Sequence, residues 1–487
     1  MKLSNLLSAE RVRAFVRAVA EAGDPEIESL AYDSRQAGSG SLFFAIQGFE
    51  SDGHLYLDQA VKRGAVAVAS QRPVPDDCGV AWIQVSRIRR FMASVADGFF
   101  GQPSARLRLV GITGTNGKTT TAFLVHSIMS QGEPSLVMGT LGARLDGRNW
   151  ASERTTPESV DIQSILNQAV EAGCGRGVME VSSHSLALNR VYGCRFPVAV
   201  FTNLTRDHLD FHHTRENYLQ SKRLLFRSDY NPGLAWSVIN HDDPASRRLD
   251  PEGEAVTFGM TPEAQVRPIT RKTTVDGTRV ELECRGRRLA LSSPLVGDHN
   301  LYNIMAAVAA CHALGIGDRQ ICSGISGLDR VPGRFEKVDL DRDYTVVVDY
   351  AHTPDALENV LRLARGLTSN RVLCVFGCGG DRDASKRPRM GEIATRRSDW
   401  TILTTDNPRS EDPEAILQQI RAGIPPERDN FETIADRREA IGRVVKLAGT
   451  GDMVLVAGKG QETYQEIQGT RIPFDDREVV RDSVCSD

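Results

Sequence analysis

Residues 111–121 read Gly-Ile-Thr-Gly-Thr-Asn-Gly-Lys-Thr-Thr-Thr, between an apolar run that starts at Leu107 and a helical pattern that starts at Lys118. Gly114 and Gly117 free the backbone N–H groups around Thr115 and Asn116 to turn inward on phosphate oxygens, and a helix N-terminus adds partial positive charge. At this spacing Lys118 reaches the β- and γ-phosphates, and the hydroxyl run Thr119-Thr120 begins with a ligand for Mg²⁺. The run departs from G-x-x-x-x-G-K-[ST]: position 112 is Ile, and the glycines fall at 111 and 114. A structural strand-to-helix turn and a dinucleotide fingerprint are the other readings. Neither explains the lysine, and G-x-G-x-x-G does not occur. The loop is therefore read as a nucleoside triphosphate site.

Glu180 ends the apolar run Arg176-Gly-Val-Met-Glu-Val, and His208 lies in Asn203-Leu-Thr-Arg-Asp-His-Leu-Asp. Four of the ten histidines (184, 208, 212, 213) fall within thirty residues. They make either a polar site or a set of hydrogen-bonding loop histidines. Mg²⁺ prefers carboxylate and phosphate oxygens, so a histidine ligand is unusual on chemistry alone. Lys222 alone reads as a solvated helix lysine. Asp33-Ser-Arg and Gly48-Phe-Glu-Ser-Asp-Gly alone read as polar turns. Asp406-Asn407-Pro408-Arg409 follows the strand-like Trp400–Thr405, where Asp, Asn and Pro terminate strands by local chemistry. Asp349 ends an apolar strand, a position that suits a site residue.

The elements that must carry these residues alternate strand-like and helix-like stretches, the pattern of parallel α/β sheets. SLFFAIQG, AVAVAS and VAWIQV with the helical YLDQAVKRG form a small N-terminal unit, closed by turn residues Gly101-Gln-Pro-Ser. The strands LRLVGIT, SLVMGTL, RGVMEVSS, FPVAVFTNL and AWSVIN follow, then a helix over 301–314 ended by Gly315. After Val331-Pro-Gly the pattern restarts with YTVVVDY, RVLCVFG, WTILTTD and DMVLVAG. The first residues, 1–23, have the polar–apolar pattern of an amphipathic helix and no signal-peptide core. With 487 residues the chain has the length of roughly three domains. Boundaries are expected at 1–103, 104–332 and 333–487. Lys plus Arg is 59 and Asp plus Glu is 63, which leaves no global field to attract nucleic acid. No apolar window approaches the roughly 18 residues of a membrane helix. Nine scattered cysteines without a metal-type pair point to reduced thiols in the cytoplasm.

GTNGKTTT resembles the ATP loop of the Mur ligase family, the ATP-dependent amino-acid ligases of peptidoglycan synthesis. Further motifs follow in the same order over nearly the whole chain. The resemblance implies an α/β fold of three domains: an N-terminal α/β uridine-nucleotide domain, a central parallel-sheet P-loop ATPase domain and a C-terminal doubly wound Rossmann-like domain. It gives catalytic roles to Lys118, Lys222, His208 and Glu180. Metal ligands would be Thr119, Glu180, His208 and Lys222, the last as a carbamate formed with CO₂ that helps hold a second Mg²⁺. Asn300 in Gly297-Asp-His-Asn, Arg334 and Asp349 would complete the ATP site. In the members that add the third peptide residue, positions matching Tyr32, Ser34, Phe49, Glu50, Ser51, Thr155, Thr156, Ser182, Leu188 and Arg190 bind the uridine substrate. Arg154 and Leu188 depart from the Asn and Gln common there.

The loop Asp406–Arg409 resembles the one that selects meso-diaminopimelate, with Arg382, Gly458 and Glu462 completing the pocket. This amino acid carries a far carboxylate that an arginine fork can grip, while Asp, Glu and carbonyl groups take the ammonium. L-lysine lacks that carboxylate. The resemblance thus implies addition of meso-2,6-diaminopimelate to the D-Glu γ-carboxylate of UDP-N-acetylmuramoyl-L-Ala-D-Glu, through an acyl phosphate, by a cytoplasmic monomer that binds neither nucleic acid nor membrane. The rivals are a lysine-adding ligase, a folylpolyglutamate synthase, a P-loop ATPase or GTPase driving a partner, and a nucleotide-binding regulator without turnover.

Overall fold

The computed structural model describes residues 1–20, 23–49, 51–73, 79–145, 147–151 and 154–485. Its largest sheet has eleven strands, with Arg108–Thr113 near the middle, between Arg176–Glu180 and Val198–Phe201, parallel to both. The strand after Arg108–Thr113 in sequence, Ser135–Gly139, lies beyond Arg176–Glu180. The chain therefore leaves Thr113 at a point where neighbouring strands diverge in order, which opens a crevice beyond their carboxyl ends. Alternate residues point to opposite faces. Val110, Ile112, Val178, Val198 and Val200 pack against helices Lys118–Met129 and Asp298–Ala313. Leu109, Met179, Ala199 and Phe201 pack against Ser159–Glu171. Both faces are covered, so these strands read as continuous apolar runs.

Both edges of this sheet are antiparallel, which the expected parallel sheet did not include. Val266–Thr274, Gly277–Cys284 and Arg287–Ser293 form one extension, and Gly142–Leu145 with Arg148–Trp150 the other. Arg285 and Gly286 both take left-handed φ (49° and 82°), the two-residue turn that suits the twist of a hairpin.

The N-terminal sheet runs Val16–Ala20, Ala81–Val85, Ala65–Ser70, Ser41–Phe44, Ser29–Ala31. The single amphipathic helix expected over 1–23 is corrected here. Helices Leu3–Ser8 and Glu10–Arg13 end early, and Val16–Ala20 is an edge strand antiparallel to Ala81–Val85. Pairing of Val19 with Ile83 and of Ala20 with Trp82 supplies backbone partners that local periodicity does not reveal.

In the C-terminal sheet, Thr345–Asp349, Met453–Ala457, Val372–Phe376, Trp400–Leu403 and Phe431–Thr433 are parallel neighbours. Their carboxyl ends deliver the loops at 350–353, 377–383, 404–410 and 458–462. Beneath these loops Arg437 is fully buried. It is paired to Asp476 at 2.7 Å and donates to the carbonyls of Thr405 (3.2 Å) and Ala457 (3.0 Å). A buried charge needs this degree of pairing, and the pair in turn fixes where two site loops begin. Among the described residues no disulfide forms, and no helix is long and apolar enough to cross a membrane.

Candidate active site

The loop after Thr113 folds as its glycines require. Gly114 and Gly117 take φ of 156° and 85°, and a Cβ would lie 1.8 Å from Thr202 Oγ1 at the first and 2.4 Å from Asn303 Oδ1 at the second. Asn203 holds the loop: its carbonyl accepts from Thr115 N and its Oδ1 from Asn116 N, both at 2.9 Å. Lys118 donates to the carbonyls of Gly114 (2.9 Å) and Thr115 (2.8 Å). Burial lowers its pKa, and Glu180 works against that shift. Thr120 is buried beside it, in the wall of a cavity of about 260 Å³ that also includes Asn300, Arg334 and Asp349.

Glu180 lies across the strand ends from this loop. Gly139 gives it room, since a Cβ there would sit 2.1 Å from Glu180 Oε1. Thr140 N donates to Oε1 at 2.8 Å, and the Thr119 hydroxyl donates to Oε2 at 2.9 Å. Arg334 reaches back to the same Thr119 hydroxyl at 3.3 Å. His208 caps a short helix with a left-handed φ of 53° and lies 3.4 Å from Asp207. Burial lowers its pKa, which favours the neutral imidazole that binds metals. Lys222 is not the solvated lysine its helix pattern suggests. It is 1% exposed, donates to Gly114 O at 2.8 Å and lies over the Tyr218 ring at 4.3 Å. Burial first, then Lys118, push its pKa well down, so the amine is held towards its uncharged form. Among the described residues no three His, Cys, Asp or Glu side chains make a ready cage for a metal. The fit is to an ion held largely by phosphate oxygens, with the Glu180 carboxylate, the Thr119 hydroxyl and the His208 imidazole at its edge.

The candidate uridine residues divide between two places. Tyr32, Ser34, Phe49 and Ser51 belong to the N-terminal sheet and its loops; Glu50 lies outside the described residues. Tyr32 donates to Asp161 Oδ2 at 2.6 Å, and Ser34 to Gln59 Oε1 at 2.8 Å. Phe49 is 77% exposed and meets the Phe211 ring at 5.7 Å, while Ser51 donates to Tyr56 OH at 3.3 Å. Thr155, Thr156, Ser182 and Arg190 cluster beside Glu180. Thr155 Oγ1 is 3.1 Å from Thr140 Oγ1, Thr156 donates to Glu180 O at 2.9 Å and to Ser182 Oγ at 3.3 Å, and Arg190 donates to Thr156 O at 3.1 Å. Leu188 closes the helix Ser183–Ala187 through its backbone N–H to His184 O (2.8 Å). Its side chain offers no hydrogen bond at the position where the resemblance leads one to expect Gln. Arg154 bonds Glu158 at 2.8 Å, and Arg190 and Arg89 converge on that carboxylate at 2.9 and 3.3 Å. Glu158 had no signal in the sequence beyond its place after Thr-Thr-Pro.

In the C-terminal loops, Asn407 Nδ2 donates to Glu462 at 2.7 Å. Arg409 takes a left-handed φ of 51°, and its Nη1 donates to Gly380 O at 2.6 Å. Pro408 sits between them, and its carbonyl accepts from Glu411 N at 3.0 Å. Gly458 has φ 114°, donates its N–H to Asp349 O at 3.0 Å, and leaves space that Asp406 Oδ2 fills, 2.5 Å from where a Cβ would stand. Burial first, then Asp406, raise the pKa of Glu462. Lys459, within the run Gly-Lys-Gly-Gln-Glu, was not singled out by sequence. It is fully buried and donates to Asn407 Oδ1 (3.0 Å) and Glu462 (3.3 Å), so it fixes which way the Asn407 amide faces. Arg382 is exposed and lines the same cleft, about 470 Å³, with Asp406, Asn407, Arg409, Gly458 and Glu462 on one wall and His184, Asp207 and His208 on the other.

Beside the P-loop a further cavity of about 600 Å³ is walled by Asn116, Gly117, Asn203, His299, Tyr302 and Asn303, with Phe258 also lining it. It has the size and mixed apolar–amide lining of a nucleoside pocket. Asn300 itself turns into its own helix, donating to Val296 O at 2.9 Å and accepting from Asn303 at 3.1 Å. Asp349 accepts from Phe335 N and Ala351 N, both at 2.7 Å, and so fixes the loop that carries Arg334. The arrangement brings a Gly-rich loop at a helix start, the half-buried Lys118, the buried Lys222, the buried Glu180 carboxylate and a charged cleft around one space.

Comparison with known proteins gives three family models along the chain: "Mur ligase family, catalytic domain" over residues 26–100, "Mur ligase middle domain" over 112–311, and "Mur ligase, glutamate ligase domain" over 333–460. The UDP-N-acetylmuramoyl-L-alanyl-D-glutamate–2,6-diaminopimelate ligase of Solibacter usitatus is 47% identical over 465 residues, covering 95% of this chain and 94% of that protein. The same-named ligase of Geobacillus thermodenitrificans is 44% identical, covering 99% of both. A solved structure of a ligase of that name superposes with a TM-score of 0.71 at 32% identity, covering 100% of this chain and 99% of the other.

Proposed function

The chain belongs to the Mur ligase family, and from that premise we propose that it joins meso-2,6-diaminopimelate to the D-Glu γ-carboxylate of UDP-N-acetylmuramoyl-L-Ala-D-Glu at the expense of ATP. The observation that carries this reading is the cleft in which Arg382 and Arg409 share a wall with Asp406 and Glu462, opposite Asp207 and His208. That charge pattern matches an amino acid with a carboxylate and an ammonium at its far end. Relatives matched over nearly their whole length carry the corresponding name.

In the reaction, the γ-carboxylate attacks the γ-phosphorus of ATP, ADP leaves, and an acyl phosphate forms. The diaminopimelate amine then attacks the acyl carbon, the C–N bond forms, and phosphate departs. Thr115 N and Asn116 N are taken up by Asn203, so the backbone N–H groups at the helix start, Gly117 to Thr120, and the Lys118 ammonium serve the phosphates. Asn300, Arg334 and Asp349 close the nucleotide side. Thr119, Glu180 and His208 would hold Mg²⁺, which supplies neutralising charge to the transferring phosphoryl group. Thr155, Thr156, Ser182 and Arg190 would place the uridine substrate's phosphates and peptide beside Glu180, and Tyr32, Ser34, Phe49 and Ser51 its uridine.

Lys222 fits as a carbamate. Buried, with the Gly114 carbonyl as its acceptor and Asp207 as the opposing charge, the amine is held towards the uncharged form that can add CO₂ at its nitrogen and lose a proton. The product is an anion, suited to a second Mg²⁺, where an ammonium would repel it. The use of ATP supports a cytoplasmic location.

Phosphate release from ATP and Mg²⁺ with the uridine substrate tests the reading, with meso-diaminopimelate or L-lysine added in parallel. Release that requires the uridine substrate and prefers diaminopimelate upholds it. Equal use of lysine overturns the selectivity, and release indifferent to the uridine substrate overturns the ligase.

A further inference from the structure

Five residues line both the P-loop cavity and the amino-acid cleft: Asp207, His208, Tyr350, His352 and Thr353. An amine that comes from the cleft to attack an acyl phosphate in the P-loop cavity crosses this shared wall. It reaches the carbon only after losing a proton, because an ammonium has no lone pair to offer. A proton acceptor is therefore needed on that wall.

Four of the five are poorly suited. Tyr350 is pushed up to about 12 by burial and stays protonated. The Thr353 hydroxyl oxygen is taken up as the cap of helix Pro354–Leu367, accepting from Ala356 N at 3.3 Å. His208 is the residue set at the metal edge. Asp207 is engaged by its neighbour, one carboxylate oxygen accepting from His208 N at 2.9 Å and the other 3.4 Å from the His208 ring.

His352 has the remaining chemistry. Its Nδ1 lies 2.8 Å from Tyr350 O. A carbonyl only accepts, so Nδ1 carries the proton and Nε2 keeps its lone pair. The charged groups that face the ring are Lys386, Asp207 and Arg334, and the Tyr350 ring meets it at 4.6 Å. Burial and Lys386 lower its pKa against the opposing Asp207, which keeps it neutral at physiological pH.

We propose that His352 is the general base of the second half-reaction, taking a proton on Nε2 from the diaminopimelate ammonium as it enters the P-loop cavity. The free amine then forms the C–N bond, the carbon–oxygen bond to phosphate breaks, and the second amine proton leaves with phosphate as HPO₄²⁻. His352 returns its proton to solvent. The inference rests on the ligase reading above and concerns only the step after acyl phosphate formation.

The test separates the two half-reactions. Positional exchange of ¹⁸O between the β,γ-bridge and the β-nonbridging oxygens of ATP, dependent on the uridine substrate and run without diaminopimelate, reports the first. Amide formation reports both. His352→Asn keeps an N–H for Tyr350 O but has no basic nitrogen. It is expected to retain the exchange while amide formation falls about a hundredfold or more at neutral pH. That loss should shrink as pH rises and diaminopimelate supplies its own free amine, with His352→Gln behaving alike. Unimpaired amide formation, an equal loss in both half-reactions, or a deficit that does not respond to pH would each overturn the base assignment. Absence of uridine-dependent exchange in the unaltered protein would instead bring down the ligase reading itself.

Discussion

Lys222 shows how far a residue's setting can override its type. Lysine on a helix is ordinarily solvated, and at 1% exposure with a carbonyl as hydrogen-bond acceptor this one is not. If the buried nitrogen works as a carbamate, Lys222→Ala loses ligase activity and Lys222→Arg does not restore it, because Arg keeps the charge that the site must lose. A ¹³C carbamate resonance after exposure to labelled bicarbonate should appear in the unaltered protein and vanish in both variants; full activity in either variant sinks the assignment. The cleft yields two further predictions. Arg409→Lys removes a fork that can grip a carboxylate with two N–H groups. Loss of a charge-assisted bond of about 1.5–3 kcal/mol corresponds to a rise in KM for diaminopimelate of roughly ten- to a hundredfold, with preference over lysine shrinking by a similar factor. Glu462 gives the pH dependence. Burial and then Asp406 raise its pKa, so acidification protonates it earlier than an exposed glutamate near about 4.3. Protonated Glu462 no longer attracts an ammonium, so kcat/KM for diaminopimelate declines as pH falls through that raised value. Asp406→Asn removes one cause of the shift and should move the acid limb to lower pH; an unmoved limb would mean that another group sets it.

The phosphate loop is the element whose sequence says most about its shape. Gly117 stands in a left-handed conformation and directly against Asn303, so Gly117→Ala strains the backbone and pushes a wall residue of the nucleotide cavity. We expect ATP affinity to fall at least tenfold while far-UV circular dichroism is unchanged; calorimetric titration with a non-hydrolysable analogue measures it, and unaltered affinity would show that the loop has room to relax. The same element explains what was legible. Gly, Lys and Thr in that loop are what backbone geometry and phosphate chemistry ask for, so residues alone led to the candidate loop, and the continuous apolar strands to the buried parallel core. Elements whose partners are distant in sequence were harder to read. Val16–Ala20 looked helical because its pairing with Ala81–Val85 lies beyond any local window. The hairpins over 266–293 do alternate, with Val280, Leu282, Leu289 and Leu291 inward, but each strand finds its place only against the next. Lys459, Glu158 and His352 were missed for a related reason. A buried Lys, a Glu gathering three Arg and a His with a fixed tautomer are distinguished by their surroundings, and the sequence shows only their types.

At the scale of the molecule, the N-terminal and central parts are tied by polar bonds away from the phosphate loop. Tyr32 donates to Asp161, Arg89 pairs with Glu158, and Arg90 donates to Asn189 at 3.0 Å. The C-terminal sheet meets the loop through Arg334, which follows directly on a connecting turn, Val331-Pro-Gly333. Gly333 has φ 65° and Phe335 has φ 45°, so this connector is already coiled into a conformation that favours glycine at 333. A Cβ on Gly333 would lie 2.1 Å from Gln461 N and 2.5 Å from Gly460 C. These are backbone atoms of the loop that carries Glu462, and they cannot swing aside as a side chain would. Gly333→Ala should therefore push on the 458–462 loop and hold the amino-acid cleft away from the phosphate loop without replacing any of the proposed ligands. In the unaltered protein, an ATP analogue with the uridine substrate and diaminopimelate should draw the parts together, exclude water from the acyl phosphate, and lower the radius of gyration seen by small-angle X-ray scattering. In Gly333→Ala that decrease should be lost and kcat should fall, while affinity for the uridine substrate alone, whose proposed site lies across the other junction, stays as it was. The same decrease in the variant would mean that closure bends elsewhere. Lost uridine affinity would mean that the two junctions move as one.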